Sequence, residues 1–219
     1  MQARTVAVVG GTGQQGRGIA QRLARAGAPV IIGSRDPALA AATVAAWSNL
    51  TGPIQTATYG DAIAAADVVV LTVPFDALAD LLARHRGDFK SDALVVDVTV
   101  PVIFAGGTAK LADVPDGSAS EHIKARLPEH VRLAAAFKTL PAHLLNDVDE
   151  PLDCDEFVCG DSTEAREAAV SLVQMLKGVR AIDVGPLSRA RAIEHATLLA
   201  IGISRRYKSP HARFRVVGL

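Results

Sequence analysis

The amino-acid sequence predicts an α/β fold, a doubly wound and mostly parallel sheet with helices on both faces, and three observations predict it. Short apolar runs alternate with helix-length segments from the first residues onward, the rhythm of βαβ units. The strongest runs, a continuous one at residues 6–9 and another at 68–73 broken only by Thr72, are apolar rather than alternating, as strands buried on both faces require. Hydrophobic residues make up 49% of the 219, enough to cover such a sheet on both sides.

Each element follows in order. Residues 6–9 form the first strand, and residues 16–26 follow with helical spacing at Ile19, Leu23 and Ala26. Residues 30–32 are a second buried strand. Asp36 then suits a helix N-cap and Pro37 the first turn of a helix reaching about Trp47. A weak strand at 55–58 leads into an Ala-rich helix from about Asp61. Residues 68–73 are the fourth strand, 75–84 a helix and 94–98 a fifth strand, joined by right-handed crossovers. Residues 106–117 read as a loop, 119–127 as a helix and 131–137 as a sixth strand. Short strands at 157–159 and 180–184 flank a helix at 163–176. Residues 188–205 are the longest helix, and 213–217 a closing strand.

The segment Gly11-Thr12-Gly13-Gln14-Gln15-Gly16 matches G-x-G-x-x-G between the first strand and the first helix. The first glycine permits the tight turn, the second lets the backbone approach a pyrophosphate, and the third packs helix on strand. The helix that follows aims unpaired N–H groups and its positive dipole end at the phosphates. This is the Rossmann arrangement, and it divides the chain into a dinucleotide-binding domain at residues 1–140 and a small C-terminal extension at 141–219. Folds that take NAD carry Asp or Glu about 20 residues beyond the glycines to bond the ribose 2′-hydroxyl. Here Ser34 and Arg35 stand there, a hydroxyl and a guanidinium suited to a 2′-phosphate. The spacing therefore predicts NADP, with Asp36 committed to the helix cap.

Composition narrows the function classes. With 23 acidic and 23 basic residues, the net charge of zero makes no electrostatic case for nucleic acid or an anionic membrane. No run reaches the roughly 20 apolar residues of a membrane span, and the apolar residues 5–9 are too few for a signal peptide. A soluble, cytoplasmic protein is expected. Cys154 and Cys159 read as reduced, non-catalytic thiols. The six histidines lack metal-ligand spacing, so no metal is assigned, and no triad or activated nucleophile gives a residue a catalytic role.

The blocks Gly10-Gly11-Thr12-Gly13, Gly33-Ser34-Arg35, Leu71-Thr72-Val73-Pro74, Val158-Cys159-Gly160-Asp161 and Asp183-Val184-Gly185-Pro186-Leu187 together resemble the NADPH:F420 oxidoreductase family. Its members move a hydride between NADP and the deazaflavin coenzyme F420. The resemblance spans nearly the whole chain, and the late blocks are its more specific part. It implies NADP contacts at Gly11, Thr12, Gly13, Gln14, Gln15, Ser34, Arg35, Phe75, Val102 and Asn146. Thr72, Val73 and Pro74 join them at the carboxyl edge of the fourth strand, where α/β sheets bind ligands. It implies an acceptor site walled by Phe137, Lys138, Thr139, Leu140 and Pro141 and closed by Leu187, in a homodimer.

Three departures stand out. Leu39 replaces a lysine the family can carry after the Ser-Arg pair, and Lys138 stands where the family has His near the deazaflavin. The cluster Arg205-Arg206-Tyr207-Lys208 would suit the acidic tail of F420, or simply complement a helix end. Hydride transfer between two cofactors asks mainly that the protein stack their rings. Lys138 is accordingly auxiliary, and Lys138→Met is expected to lower turnover tenfold or less, about 1.4 kcal/mol. Two other readings stay open: an NADPH-dependent reductase of a small imine or keto compound, and a non-catalytic NADP-binding protein.

Overall fold

The computed structural model describes residues 4–47 and 52–219. In chain order its elements are β1 (Val6–Val9), α1 (Gln14–Arg25), β2 (Val30–Ser34), α2 (Pro37–Ala45), β3 (Ile54–Thr58), α3 (Tyr59–Ala65), β4 (Val68–Leu71), α4 (Leu78–Arg84) and β5 (Leu94–Asp97). There follow β6 (Val102–Ala105), β7 (Thr108–Leu111), α5 (Ala119–Lys124), β8 (Arg132–Ala135), α6 (Ala142–Asn146), β9 (Cys154–Gly160), α7 (Thr163–Gln174), β10 (Val179–Pro186) and α8 (Ala190–Tyr207). Short 3-10 turns at Phe75–Ala77 and Leu187–Arg189 lead into α4 and α8.

One sheet runs β10-β9-β8-β5-β4-β1-β2-β3. The part β3-β2-β1-β4-β5-β8 is wholly parallel and has the strand order of dinucleotide-binding sheets. β9 then pairs antiparallel with β8 through Ala134 and Ala135, and β10 pairs parallel with β9. The C-terminal segment thus continues the same sheet.

Because side chains alternate across a strand, the sheet builds a large core on each face, with a smaller cluster of Ala135, Cys159, Ala190 and Ile193 beside them. Val6, Val8, Val30, Ile32, Val70 and Val96 face α1, α2 and α7, while Ala7, Val9, Val69, Leu71 and Val95 face α3, α4 and α5. Asp36 caps α2 as expected, its Oδ1 accepting from Leu39 N at 2.9 Å with Pro37 in the first turn.

Two expectations are corrected. Residues 106–117 are not simply loop. β6 and β7 form an antiparallel hairpin with Val102 opposite Leu111, turned by Gly106 and Gly107, both at positive φ. Glycines reach that backbone region without strain, as a two-residue hairpin turn demands. Residues 213–217 do not form a strand. Only Phe214 bridges to Asp155, because the Asp155 carboxylate holds the tail instead, bonding Val216 N at 2.5 Å and the Arg180 guanidinium at 2.7 and 2.8 Å.

Candidate active site

The sheet's strand order reverses between β1 and β4, so a crevice opens beyond their carboxyl ends. Thr72 joins the two rims, its N–H and Oγ1 both donating to Val9 O at 2.9 Å. Above β1, Gly13 is the N-cap of α1, whose first turn carries no acidic side chain. The free N–H groups of that turn face solvent beside exposed Thr12, Gly13 and Gln14.

The three motif glycines have different reasons to be glycine. A Cβ on Gly11 would stand 2.5 Å from Ile32 Cδ1, and one on Gly16 would stand 2.6 Å from Thr72 Oγ1. Those two serve internal packing. A Cβ on Gly13 would meet nothing nearer than Gly10 O at 3.4 Å. Its bareness serves no contact within the protein and leaves the turn open to a phosphate. Nearby, Arg17 Nε and Asn146 Oδ1 are buried without a hydrogen-bond partner, although Asn146 Nδ2 donates to Gln14 O at 2.8 Å. Unanswered polar atoms beside an open, N–H-lined turn fit an anionic dinucleotide.

At the end of β2, Ser34 Oγ accepts from Asp36 N at 3.2 Å, and Arg35 extends into solvent. Asp36 is engaged in its cap, and Leu39 is exposed beside it. Arg35 is thus an exposed cation at the strand end. Arg35→Ala is expected to weaken NADPH binding by about 1.5–3 kcal/mol, the worth of a charge-assisted hydrogen bond, and to spare NADH. Titration of both nucleotides checks this, and equal losses would remove Arg35 from the 2′-phosphate site.

From Gln15 in the first turn of α1 a cleft of about 850 Å³ runs beneath α8 and the β6–β7 hairpin. Gln15, Thr72, Val73, Pro74, Phe75 and Val102 line it, as do Lys138, Thr139, Leu140 and Pro141. Gln15 also fixes the loop after β8, its Nε2 donating to Phe137 O and Leu140 O at 3.1 Å each. Asn146 lies outside the cleft, on the α6 side of the phosphate turn. Two of the expected acceptor residues do not reach the cleft wall. Phe137 has a left-handed backbone, φ 60°, and lies fully buried in the core. Leu187 packs against the core on the α4 side of the sheet, where its carbonyl faces Cys159 Sγ at 3.8 Å.

At the cleft mouth stand Arg205 and Lys208. Arg205 braces the hairpin, with its guanidinium 4.7 Å from the Phe104 ring centre and a bond to Gly107 O at 3.2 Å. Arg206 points elsewhere and does not line the cleft.

Beneath the cleft floor lies a charged network that the sequence reading missed. The Lys138 ammonium is wholly buried, 2.6 Å from Asp97 Oδ2 and 3.6 Å from Glu194 Oε1, and it also donates to Thr99 O. Asp97 in turn accepts from Ser120 Oγ at 2.6 Å and from Thr99 N and Oγ1 at 2.8 and 2.6 Å. Glu194 accepts from Ala119 N at 2.9 Å, and burial holds its carboxyl above the ordinary range. The Lys138 ammonium is thus engaged within the protein by Asp97 and Thr99 O. Glu156 on β9 accepts from Lys138 N at 2.9 Å and Thr139 Oγ1 at 2.6 Å, shaping the loop from the other side. Cys154 and Cys159 are unbridged, and burial pushes their thiols up to about 11 and about 12, which keeps them protonated and inert. Among the described residues no cluster of His, Cys, Asp or Glu could hold a metal ion.

A parallel sheet of this order, a glycine-lined phosphate turn at its switch point and an apolar cleft beside it define a Rossmann-type nucleotide-dependent oxidoreductase. Residues 5–101 match the family described as NADP oxidoreductase, coenzyme F420-dependent. The chain is 41% identical to the F420-dependent NADP reductase of Methanothermobacter thermautotrophicus, covering 98% of this chain and 95% of that one. It is 35% identical to the enzyme of the same name from Methanocaldococcus jannaschii, covering 98% of both. It belongs to this family. The solved structure of an Arthrobacter sp. FB24 protein assigned as an F420-dependent NADP reductase superposes with a TM-score of 0.84 at 26% identity, covering 99% of this chain and all of that one.

Proposed function

We propose that the protein transfers a hydride between NADP(H) and coenzyme F420. The observation that carries this reading is a largely apolar cleft that begins at Gln15, in the first turn of the helix capped by the bare Gly13, and also takes in Arg205 and Lys208. When bound, the two cofactors supply donor and acceptor carbons, and the chemistry is theirs. The protein's part is to bind, orient and exclude water. The α1 N-terminus and Arg35 hold the nucleotide's phosphates. Val73, Pro74 and Phe75 on one wall and Leu140 and Pro141 on the other give a planar ring apolar faces to stack on. Arg205 and Lys208 meet an anionic tail at the mouth. Residues 141–219 complete the acceptor side of this cleft.

The test is optical. F420 absorbance is expected to bleach on addition of NADPH and protein. Loss of NADPH with an imine or keto acid but not with F420 would overturn the acceptor assignment, and tight NADPH binding without any turnover would overturn the enzymatic reading.

The same reading makes the protein a cytoplasmic homodimer. Leu199, Ile203 and Tyr207 lie four residues apart along one exposed side of α8, a stripe suited to a second copy. Buried, unbridged cysteines accord with a reducing compartment. Among the described residues no helix is long and apolar enough to cross a membrane.

A further inference from the structure

We propose that Glu156, acting through the Thr139 hydroxyl, holds and passes the proton that accompanies hydride transfer in the acceptor cleft. This rests on the activity proposed above. Reduction of the acceptor by NADPH needs more than the hydride. The hydride brings two electrons and one hydrogen to a ring carbon, and a ring nitrogen takes a further proton, so NADPH + F420 + H⁺ gives NADP⁺ + reduced F420. A donor in the cleft wall can deliver that proton directly to a ring lying against a largely apolar lining.

Thr139 lines the cleft, and its Oγ1 lies 2.6 Å from Glu156 Oε2. Glu156 is fully buried in the middle of β9, and its two oxygens are held by Lys138 N at 2.9 Å and Thr139 N at 3.3 Å. The neighbouring charges are otherwise engaged. The Lys138 ammonium bonds Asp97 and Thr99 O, so among the described residues Glu156 forms no ion pair, and the Lys138 charge only opposes the effect of its burial. On its other flanks, β10 sets Ala181 beside it, and its own strand carries the Cys154 thiol, which burial keeps neutral. Asp155, next in sequence, bonds Arg180. Burial pushes the Glu156 carboxyl up to about 7, its hydrogen bonds opposing, so both forms are populated near neutrality.

The step balances as follows. In acceptor reduction the Thr139 O–H proton goes to the ring nitrogen, and the carboxylic proton of Glu156 re-forms the O–H. Glu156 is left as a carboxylate, stabilised by the two backbone N–H groups and the hydroxyl, until a proton returns from solvent. The opposite reaction runs the same path backwards and needs Glu156 ionised at the start. Thr139 is the residue that meets the acceptor, and Glu156 acts through it.

The experiment compares wild type with Glu156→Gln, Thr139→Val and Thr139→Ser. In the protein without cofactors, an infrared pH titration is expected to show a protonated-carboxyl band disappearing with a midpoint near 7, absent from Glu156→Gln. In stopped flow, the wild-type rate of F420 reduction is expected to fall as pH rises through that midpoint, and Glu156→Gln to lose the inflection. Thr139→Val is expected to slow the step by about a hundredfold, the lower end of general acid catalysis, and Thr139→Ser to restore most of it. NADPH affinity is the check that each variant remains folded around its nucleotide. A band whose midpoint lies in the ordinary carboxyl range, an inflection that survives in Glu156→Gln, or Thr139→Val matching Thr139→Ser would overturn the relay while F420 reduction by wild type stands. NADPH oxidation by wild type without any F420 reduction would remove the acceptor reading, and the relay with it.

Discussion

Gly13→Val is expected to leave a folded protein that no longer binds NADPH. Both halves of that outcome follow from one position. Gly13 has φ −71° and ψ 165°, extended backbone that valine adopts readily. A Cβ there would sit 3.4 Å from Gly10 O, an ordinary contact, so the turn keeps its shape. The branched side chain would instead occupy the space above the α1 N-terminus and hold a pyrophosphate away from the free N–H groups. Losing those contacts should raise the dissociation constant at least a hundredfold, about 2.7 kcal/mol. Gly16→Val is the contrasting control. Its first added carbon would meet Thr72 Oγ1 at 2.6 Å and Gly11 Cα at 2.7 Å, so that variant should lose stability as well as binding. Circular dichroism and nucleotide titration on the pair separate the cases. Retained affinity in Gly13→Val would mean that the phosphates bind elsewhere, and unfolding would mean that Gly13 serves packing after all.

The same distinction explains what could be read without coordinates. Strands such as Val68–Leu71 are apolar on both faces because helices cover both, so composition alone reveals them. The hairpin stayed hidden because residues in Val102–Ala105 and Thr108–Leu111 are mostly exposed or half-buried, which leaves no periodic apolar face to detect. Residues 213–217 have strand-like composition, but a strand needs a partner ladder, and the tail finds one carboxylate. In the site, the glycine turn and Arg35 are expectations drawn from local chemistry, the motif and the missing strand-end acid. Phe137 and Leu187 are not legible that way, because an aromatic or aliphatic side chain in a loop reads the same whether it lines a cleft or fills a core. Asp97, Glu156 and Glu194 were missed for the opposite reason. They come from three separate segments, and only the folded sheet brings them to one loop. A signal did exist: Asp97 and Glu156 are carboxylates embedded in strands buried throughout or nearly so, where an ionisable group needs a partner.

That buried network gives Lys138→Met a stability cost, which the expectation of a modest turnover loss does not include. The sequence reading treats the substitution as removal of an auxiliary charge near the acceptor, a question of turnover. In the structure the ammonium has no exposed surface, and Asp97, Thr99 O and Glu194 surround it. Replacing it with methionine keeps much of the stem's volume but leaves the buried Asp97 side chain with only hydroxyl and backbone partners. Breaking one side of a buried ion pair costs about 3–5 kcal/mol, because the surviving charge keeps its desolvation penalty and loses its compensation. In a chain of this size each kcal/mol lowers the melting temperature by about 2–4 °C, so a fall of roughly 10 °C is expected. Lys138→Met combined with Asp97→Asn removes both charges, while an amide oxygen still accepts from Ser120. Glu194, already raised by burial, can take up a proton in that variant. The pair should therefore recover more than half of the lost stability. Thermal unfolding of the single and double variants decides the matter. A Lys138→Met protein as stable as wild type would show that its ammonium is a solvated charge, and a double variant no better than the single one would show that Asp97 is not its counter-ion.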